Sequence, residues 1–243
     1  MESELFHVHT YRCKHASEEQ DYEYIEKAIT LGAKRITFTD HAPFPGNPFG
    51  LRMEMDELPE YLNSLTQLKQ KYKDHIDVVI GLEIEYLPSF SSYYLELQKL
   101  EQLQFLMLGQ HFCEYGPECY SFDVKREVLK KEEAIGIGKA MVQGIESGLF
   151  KVVAHPDRLF RRRKDWEPDM EQISKNIITA AIENDVFLEQ NESSKLRKYQ
   201  YWKEFWDFAD ILAKKQEGTG KQLRIIRGLD AHSTKELEVL SGR

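Results

Sequence analysis

The sequence predicts an α/β fold, a closed barrel of seven parallel strands, and three observations support this prediction. Seven short apolar segments alternate with segments of helical periodicity along the 243 residues, and a crossover helix between two strands makes them parallel. The Gly-x-Gly-x-x-Gly and Walker loops that mark dinucleotide-binding and P-loop folds follow none of these strands. Residues suited to chemistry follow the strands instead, at the carboxyl ends where parallel barrels build their sites.

The predicted strands are short runs rich in β-branched and aromatic residues. The first three runs read LFHVHT, RITFT and DVVIG, and FLML and KVVA come later. The seven predicted strands cover residues 5–10, 35–39, 77–81, 105–108, 151–154, 186–188 and 223–226.

The predicted helices carry apolar residues at helical spacing. The first, SEEQDYEYIEKAITL, begins with an N-cap serine and acidic residues and ends before Gly32. The six predicted helices cover residues 17–31, 57–72, about 92–102, about 125–147, about 170–183 and about 199–214. Prolines and glycines predict a long loop over residues 42–53 and another loop through Pro117.

Composition and charge exclude several classes of protein. With 41% hydrophobic residues the chain has enough apolar side chains for a single domain over residues 1–243. A net charge of -8 disfavours a sequence-independent nucleic-acid surface. Apolar runs are too short for a membrane span. Because the N-terminus MESELFHVHT is acidic, we expect no signal peptide and a cytoplasmic protein.

Cysteine usage indicates a reducing compartment. The chain has three cysteines, an odd number, which predicts no disulfide framework. Cys13 lies among potential ligands, where it could serve as a thiolate ligand, but the preferred interpretation is a small buried residue.

The histidines point to a metal centre. His7 and His9 are two positions apart in a predicted strand, so their side chains should share one face. Of the eight histidines, only His75 lies away from a strand or its end. With two carboxylates, the other seven form the predicted ligand set: His7, His9, His15, His41, Glu83, His111, His155, Asp230 and His232. Nitrogen and oxygen donors in this number suit two or three ions of zinc, manganese or iron that share a carboxylate.

Basic residues near the same strand ends indicate a phosphate-containing ligand. The arginine fork matches phosphate oxygens in pairs, and the predicted contacts are Arg52, Arg158, Arg161 and Arg197. At least part of the run RRRK at residues 161–164 is interpreted as a solvated surface segment. Asn191, with Glu189 and Tyr86, is a candidate contact for a cationic substrate, and hydrogen bonding within the protein is the alternative.

These motifs resemble those of the PHP family, named for polymerase and histidinol phosphatase domains, over nearly the whole chain. The segments HVHTYRCKH, FTDHAPFP, LRMEMDELPEYL and GLEIEYLP are most similar to those of its monofunctional histidinol-phosphate phosphatases. The resemblance implies a distorted (β/α)7 barrel and the hydrolysis of L-histidinol phosphate. It also implies two or three divalent metal ions, and a small-molecule partner rather than nucleic acid or membrane.

The resemblance further assigns the predicted ligands to three groups. They are His7, His9, Glu83 and Asp230; His111 and His155 with Glu83 as the shared carboxylate; and His15, His41 and His232. The leaving alcohol then takes its proton from His232, from Asp40 or from a metal-bound water. Asp40 is alternatively a residue that orients a ligand.

Two other functions compete with this one. The first is a PHP phosphoesterase for another small phosphate ester or for DNA ends, although the charge and length supply neither a basic groove nor a fused polymerase. The second is a metal-binding module without catalysis, which would be expected to lack a ligand. Relatives typically have a further closing helix, whereas this chain stops at Arg243, so a trimmed C-terminus is also an expectation.

Overall fold

The structure, a computed structural model, describes residues 4–116, 118–123, 130–216, 218 and 220–242, with the backbone alone at 130 and 131. Pro117 and the predicted start of the fourth helix, residues 125–129, lie outside the described residues. No helix in the described part of the chain combines the length and the apolarity that a membrane span requires.

The strands lie close to their predicted positions. They are β1 Glu4–Val8, β2 Arg35–Phe38, β3 Asp77–Ile84, β4 Phe105–Leu108, β5 Glu114–Gly116, β6 Cys119–Tyr120, β7 Val152–Val153, β8 Phe187–Asn191 and β9 Arg224–Gly228. The helices are α1 Asp21–Thr30, α2 Leu58–Tyr72, α3 Ser91–Leu97, α4 Lys130–Glu146, α5 Pro168–Asn184, α6 Glu192–Lys195, α7 Lys203–Lys215 and α8 Thr234–Ser241. Single 3-10 turns cover Tyr11–Cys13, Pro88–Phe90 and Arg158–Phe160.

Seven strands form one sheet in the order β1-β2-β3-β4-β7-β8-β9. Pairing is parallel where β1 meets β2, β2 meets β3, β4 meets β7 and β7 meets β8. The end of the chain also returns to its beginning, since the backbone of Ala231 forms a parallel bridge with Val8. Strands that follow one another in both sequence and space, with first and last segments joined, are the arrangement of a parallel α/β barrel.

The chain divides into two compact units. Unit 1 comprises Met1–Ile84, Ser92–Leu106 and Arg227–Arg243, and unit 2 comprises Glu85–Ser91 and Met107–Ile226. The single domain over residues 1–243 stays a prediction.

Three elements were not predicted from the sequence. The antiparallel β5 and β6 hairpin lies in the loop after β4, the short α6 follows β8 directly, and α8 follows the last predicted strand. They were missed because none has the length of periodic sequence on which helix and strand predictions depend. Helix α8 is nevertheless well marked, since Ser233 caps it by accepting a hydrogen bond from the backbone N–H of Glu236.

The first strand is less regular than the alternation argument assumed. Its register with β2 shifts between Phe6 and Val8, and His7 has a φ of 70°. Strand β1 ends at Val8, so His9 lies just beyond it. His7 and His9 therefore converge through a local bulge rather than through the alternation of a regular strand.

A glycine in β3 positions the strand that carries Glu83. In unit 1, Phe6 and Phe105 stack with ring centroids 6.1 Å apart. A Cβ atom at Gly81 would lie 2.6 Å from the Phe105 ring, which is too close for any real contact. The hydroxyl of Tyr61 donates to the carbonyl oxygen of Gly81 at 2.7 Å, so the strand is also held from its helix side. Only glycine fits at this position with Phe105 in its present place.

We expect Gly81→Ala to lower the free energy of unfolding by about 1–3 kcal/mol, because the aromatic ring and the strand must move apart. Urea unfolding measures the change. Gly50→Ala is the matched control, since no atom lies within 4 Å of a Cβ built there. Equal stability of the two variants would contradict the close packing.

Candidate metal centre

In unit 1 the strand ends bring three imidazoles around one carboxylate oxygen of Glu83, and a second carboxylate, Asp230, lies beside two of them. Glu83 Oε2 lies 3.3 Å from His7 Nε2, 3.3 Å from His9 Nε2 and 3.2 Å from His41 Nδ1. The two Nε2 atoms of His7 and His9 are only 3.0 Å apart. Asp230 Oδ1 lies 3.7 Å from His7 Nε2 and 3.5 Å from His9 Nε2. All of these side chains except His41 are buried.

Backbone pairing explains why these residues meet. His41 and Glu83 form a parallel bridge that extends the pairing of β2 with β3. The backbone N–H of His9 donates to the carbonyl oxygen of Ala231 at 2.9 Å, and that of Ala231 to His7 at 3.1 Å. The residues beside Ala231, which include Asp230, are thereby placed next to the first strand.

Three of the nine predicted ligands have backbones in the left-handed region, which is uncommon for residues other than glycine. Their φ values are 70° at His7, 31° at His155 and 56° at Asp230. Such conformations cost about 1–3 kcal/mol each and tend to occur at functional sites. These backbone conformations therefore lower the stability of the folded state, and they set the directions of the three side chains.

A second group in unit 1 adjoins the first. The ligand atoms of His15, His41 and His232 all lie within 4.8 Å of one another. His15 Nδ1 lies 2.8 Å from the carbonyl oxygen of Cys13, and His232 Nδ1 lies 3.1 Å from that of Asp230. A carbonyl oxygen accepts from Nδ1–H, so the Nε2 atom of each ring is left as the electron-pair donor, which is the usual arrangement of a metal-binding histidine.

The residues of unit 1 fit a bound cation. Imidazole and carboxylate groups are the donors that zinc, manganese and iron accept, and buried imidazoles seldom crowd this closely for another reason. His9 Nδ1 and His232 Nε2 are buried atoms that have no hydrogen-bond partner among the residues that the structure describes. A divalent ion would satisfy such atoms and neutralise the two carboxylates.

Contacts within the cluster shift the pKa values of His9 and Cys13 in opposite directions. Burial lowers the pKa of His9, but contacts with Cys13 and Glu83 outweigh burial and raise that pKa well above its ordinary value. Burial raises the pKa of the Cys13 thiol, but the imidazoles of His15, His232 and His9 outweigh it and lower that pKa to about 3. Because a histidine binds a metal as the neutral imidazole, metal binding would release the proton that these contacts favour on His9.

Unit 2 holds the other two predicted ligands. The rings of His111 and His155 have centroids 5.1 Å apart. His111 Nδ1 lies 2.9 Å from Oε1 of the buried Glu85, a carboxylate and histidine pair of the kind that orients metal ligands. The backbone N–H of His155 donates to Glu189 Oε2 at 2.9 Å.

Asp40 is occupied by its neighbour Thr10. Its Oδ1 accepts from the Thr10 backbone N–H at 2.7 Å and its Oδ2 accepts from the Thr10 hydroxyl at 2.7 Å. Arg12 donates to the same hydroxyl oxygen at 3.0 Å and pairs with Asp21 at 2.7 Å. Burial, and then the charge of Cys13, raise the pKa of Asp40 to about 7.

The predicted phosphate contacts lie in different surroundings. Arg158 donates through Nε at 3.2 Å and through an Nη atom at 3.0 Å to Ser194 Oγ, and at 3.4 Å to Asn191 Oδ1. Arg161 donates to the carbonyl oxygen of His111 at 3.3 Å. Arg197 is exposed.

Two further arginines of the run have ion-pair partners, as a structural role would require. Arg162 pairs with Glu133 at 2.9 Å, and the buried Arg163 pairs with Asp169 at 2.9 Å. The buried Arg163 therefore differs from the solvated surface segment that the sequence suggests, because its ion pair holds it within the protein, whereas Lys164 is exposed.

Arg52 is enclosed within the predicted loop. It is 7% exposed and donates to the carbonyl oxygen of Ala42 at 3.2 Å. Its guanidinium carbon lies 5.4 Å from the ring centroids of both Phe44 and Phe49. These contacts account for Arg52 as a residue that stabilises the loop.

Asn191 is also held within the protein. Its Oδ1 accepts from the backbone N–H of Ser194 at 2.8 Å and caps α6, while its Nδ2 donates to Glu189 Oε2 at 3.0 Å. Both ends of the amide are therefore used, which is the alternative that the sequence left open for this residue.

Sequence reasoning missed several residues of these sites. Glu83 lies in β3, and Glu85 is the residue directly after the end of that strand. Because the two are two positions apart, strand alternation predicts that their side chains share one face. For Cys13 the sequence leaves a thiolate ligand open beside the preferred interpretation of a small buried residue; the residue is buried, and its sulfur lies within 4.8 Å of ligand atoms of His9 and His232. Thr10 and Ser194 carried no signal, because their roles depend on distant partners.

Glu19 connects the loops that carry His15 and His232. It accepts from the hydroxyl of Ser17 and from the backbone N–H of Thr234 at 2.9 Å. Burial raises the pKa of Glu19, but these hydrogen bonds outweigh burial and lower the pKa below its usual range.

We expect Glu19→Gln to destabilise the protein at about pH 7. A lowered pKa stabilises the folded state above the unfolded value of about 4.3, and this contribution disappears as the pH falls through the lowered pKa. Denaturant unfolding between about pH 7 and about pH 4 should therefore show the two proteins converging. The exposed neighbour Glu18 provides the control, Glu18→Gln. A pH-independent difference for Glu19→Gln would count against the charged contact.

Comparison with known proteins identifies the family. The sequence profile of the PHP domain matches residues 6–193. A Bacillus subtilis histidinol-phosphatase is 34% identical over 90 residues, which are 35% of this chain and 34% of that protein. A Deinococcus radiodurans protein named a probable histidinol-phosphatase is 29% identical over 160 residues, 62% of this chain and 59% of that protein. The matched regions thus span less than two thirds of either relative.

Solved structures show the same fold over nearly the whole chain. A Lactococcus lactis histidinol phosphate phosphatase, solved with zinc, L-histidinol and phosphate, superposes with a TM-score of 0.70 at 20% identity, over 99% of this chain and 93% of that one. A Listeria monocytogenes candidate histidinol phosphatase gives 0.74 at 19% identity, over 96% and 97%. These likenesses confirm the predicted fold class, an α/β barrel of seven parallel strands. Because the profile spans most of the sequence, this chain belongs to the PHP domain family.

Proposed function

We propose that this chain is a metal-dependent phosphomonoesterase that hydrolyses L-histidinol phosphate to L-histidinol and phosphate in histidine biosynthesis. The observation that carries the proposal is the convergence of His7, His9 and His41 on one oxygen of the buried Glu83. Membership of the PHP family supports the reaction class. The substrate is suggested by the names of the relatives and by the ligands of the Lactococcus lactis structure.

Two or three divalent ions, of zinc, manganese or iron, are proposed as cofactors. In unit 1 the residues that would hold them are His7, His9, His15, His41, Glu83, Asp230 and His232. In unit 2 they are His111 and His155, the first oriented by Glu85. When bound, such ions neutralise phosphoryl oxygens and make water a better nucleophile near neutral pH.

The chain's own residues then have distinct tasks. Glu83 keeps its carboxylate at the centre of the imidazoles because β3 holds it there. Asp40 accepts from Thr10 with both oxygens, so we assign it the task of positioning the segment that carries His9. Proton transfer to the leaving alcohol then falls to water, because His232 directs Nδ1–H to the Asp230 carbonyl oxygen and keeps Nε2 for the metal.

Arg158 is the proposed phosphate contact. Ser194 and Asn191 accept its Nε–H and one Nη group, which fixes the plane of the guanidinium and reduces the entropy lost on binding an anion. Asn191 therefore positions Arg158 and need not touch the substrate. Arg161 and Arg197 remain proposed secondary contacts, whereas Arg52 is assigned to loop stabilisation.

We expect Arg158→Lys to lower kcat/KM for the phosphate ester about tenfold and to weaken inhibition by inorganic phosphate, because an ammonium cannot reproduce the planar fork. Steady-state kinetics with phosphate as inhibitor measures both effects. Arg162→Lys, which can keep its ion pair with Glu133, should behave as the wild type. Unchanged phosphate inhibition in Arg158→Lys would remove this residue from the substrate site.

The proposed reaction is tested by phosphate release from L-histidinol phosphate with metal-reconstituted protein. An aryl phosphate and a short 5′-phosphorylated DNA serve as competing substrates. We expect a strong preference for L-histidinol phosphate and a loss of about 100-fold or more in His9→Ala.

The control is His75→Ala, which removes the exposed histidine outside the predicted ligand set and should leave the rate unchanged. Preferred turnover of DNA ends would overturn the substrate, and full activity of His9→Ala would overturn the metal centre.

A further inference from the structure

We propose that Cys13 supplies a thiolate ligand to the metal ion held by His15, His41 and His232, because the ligand atoms of Cys13, His9 and His232 lie within 4.8 Å of one another and Cys13 and His9 are buried. This inference rests on the proposed metal-dependent function and adds a soft ligand to a set otherwise made of nitrogen and oxygen donors. The thiol proton leaves to solvent when the metal–sulfur bond forms.

The geometry suits a shared ion. The ligand atoms of His9, Cys13 and His232 lie within 4.8 Å of one another. Tetrahedral bonds of about 2.0–2.1 Å to nitrogen and about 2.3 Å to sulfur place ligand atoms about 3.3–3.6 Å apart. The Cys13 sulfur is therefore within reach of an ion bound by His232. His232 also belongs to the group with His15 and His41, so the thiol adjoins that site.

A local turn presents the thiol to the histidines. Residues Tyr11–Cys13 form a 3-10 turn that ends at Lys14, whose φ of 64° is left-handed. The carbonyl oxygen of Cys13 accepts from His15 Nδ1 at 2.8 Å. The backbone of Cys13 therefore orients His15, which is a proposed ligand of the same metal site that the Cys13 side chain adjoins.

The surroundings of Cys13 differ from those of an ordinary buried cysteine. Cys13 is 0% exposed, and its sulfur lies within 4.8 Å of ligand atoms of His9 and His232. His9 Nδ1, on a side chain that is also 0% exposed, has no hydrogen-bond partner within the described part of the chain.

Cys113 shows the contrast. Its sulfur would lie 2.5 Å from a Cβ atom at Gly136, so it fills a close contact with helix α4. It is therefore a packing residue and a suitable control.

A thiolate would change which ions the site prefers. Soft sulfur ligands favour zinc, iron and cobalt over manganese and magnesium, which favour oxygen. The thiolate also adds a negative charge beside three neutral imidazoles, and so reduces the net positive charge of the occupied site. We therefore expect zinc to compete out manganese at this position, and Cys13→Ser to bind zinc at least about tenfold more weakly.

The test uses cobalt(II) as the probe, with the full chain loaded with cobalt and its metal content measured by atomic absorption. A thiolate bound to cobalt(II) gives an intense near-ultraviolet charge-transfer band that nitrogen and oxygen ligands do not give. We expect the band in the wild type and in the double variant Cys113→Ser/Cys119→Ser, in which Cys13 is the sole remaining cysteine. We expect no band in Cys13→Ser.

The double variant decides the matter even if Cys13→Ser fails to fold, because it leaves Cys13 intact. Cobalt bound to the double variant without the band would overturn the role of Cys13 while leaving the proposed metal centre in place. Failure of the wild type to bind cobalt would instead refute the metal centre and this inference with it.

Discussion

The pairing of the first strand with the segment after the last strand is the interaction on which the proposed site depends. Three backbone hydrogen bonds join residues 6–9 to residues 229–231. They bring the two histidines of the N-terminus beside the aspartate and histidine of the C-terminus. Closing so long a loop costs entropy, and long-range pairing forms late in such chains. The candidate metal ligands of unit 1 therefore come together only when both ends of the chain have folded.

The site costs stability that the apolar core must offset. Left-handed backbones at His7 and Asp230 cost about 1–3 kcal/mol each. Removing carboxylates and imidazoles from water adds a further cost unless they are paired or bound to a cation. The stacked Phe6 and Phe105 and the close approach at Gly81 show how tightly the apolar side chains pack nearby. A bound metal ion would also stabilise the folded state, since it binds the assembled cluster and not the unfolded chain.

Hydrogen bonds to the second nitrogen of each ring orient the proposed ligands. Backbone carbonyl oxygens serve His15 and His232, whereas a buried carboxylate, Glu85, serves His111. Asp40 orients the backbone in a similar way, because it accepts a hydrogen bond from the backbone N–H of Thr10, the residue next to His9. Residues that are not themselves candidate ligands thus hold the candidate ligands in position.

The sequence by itself determined the fold class, the seven strands and the position of the candidate ligands at the strand ends. These features depend on local periodicity and on the rule that parallel strands present their carboxyl ends together. The tertiary structure alone decided which partners the side chains meet. It enclosed Arg52 between two phenylalanine rings, used both ends of Asn191 and both oxygens of Asp40, and placed the sulfur of Cys13 among histidines. Contacts of this kind join residues that are far apart in the chain. The bulge at His7, which directs the side chains of His7 and His9, also has no local sequence signature. Neither periodicity nor spacing contains that information, because it arises only when the strands are paired.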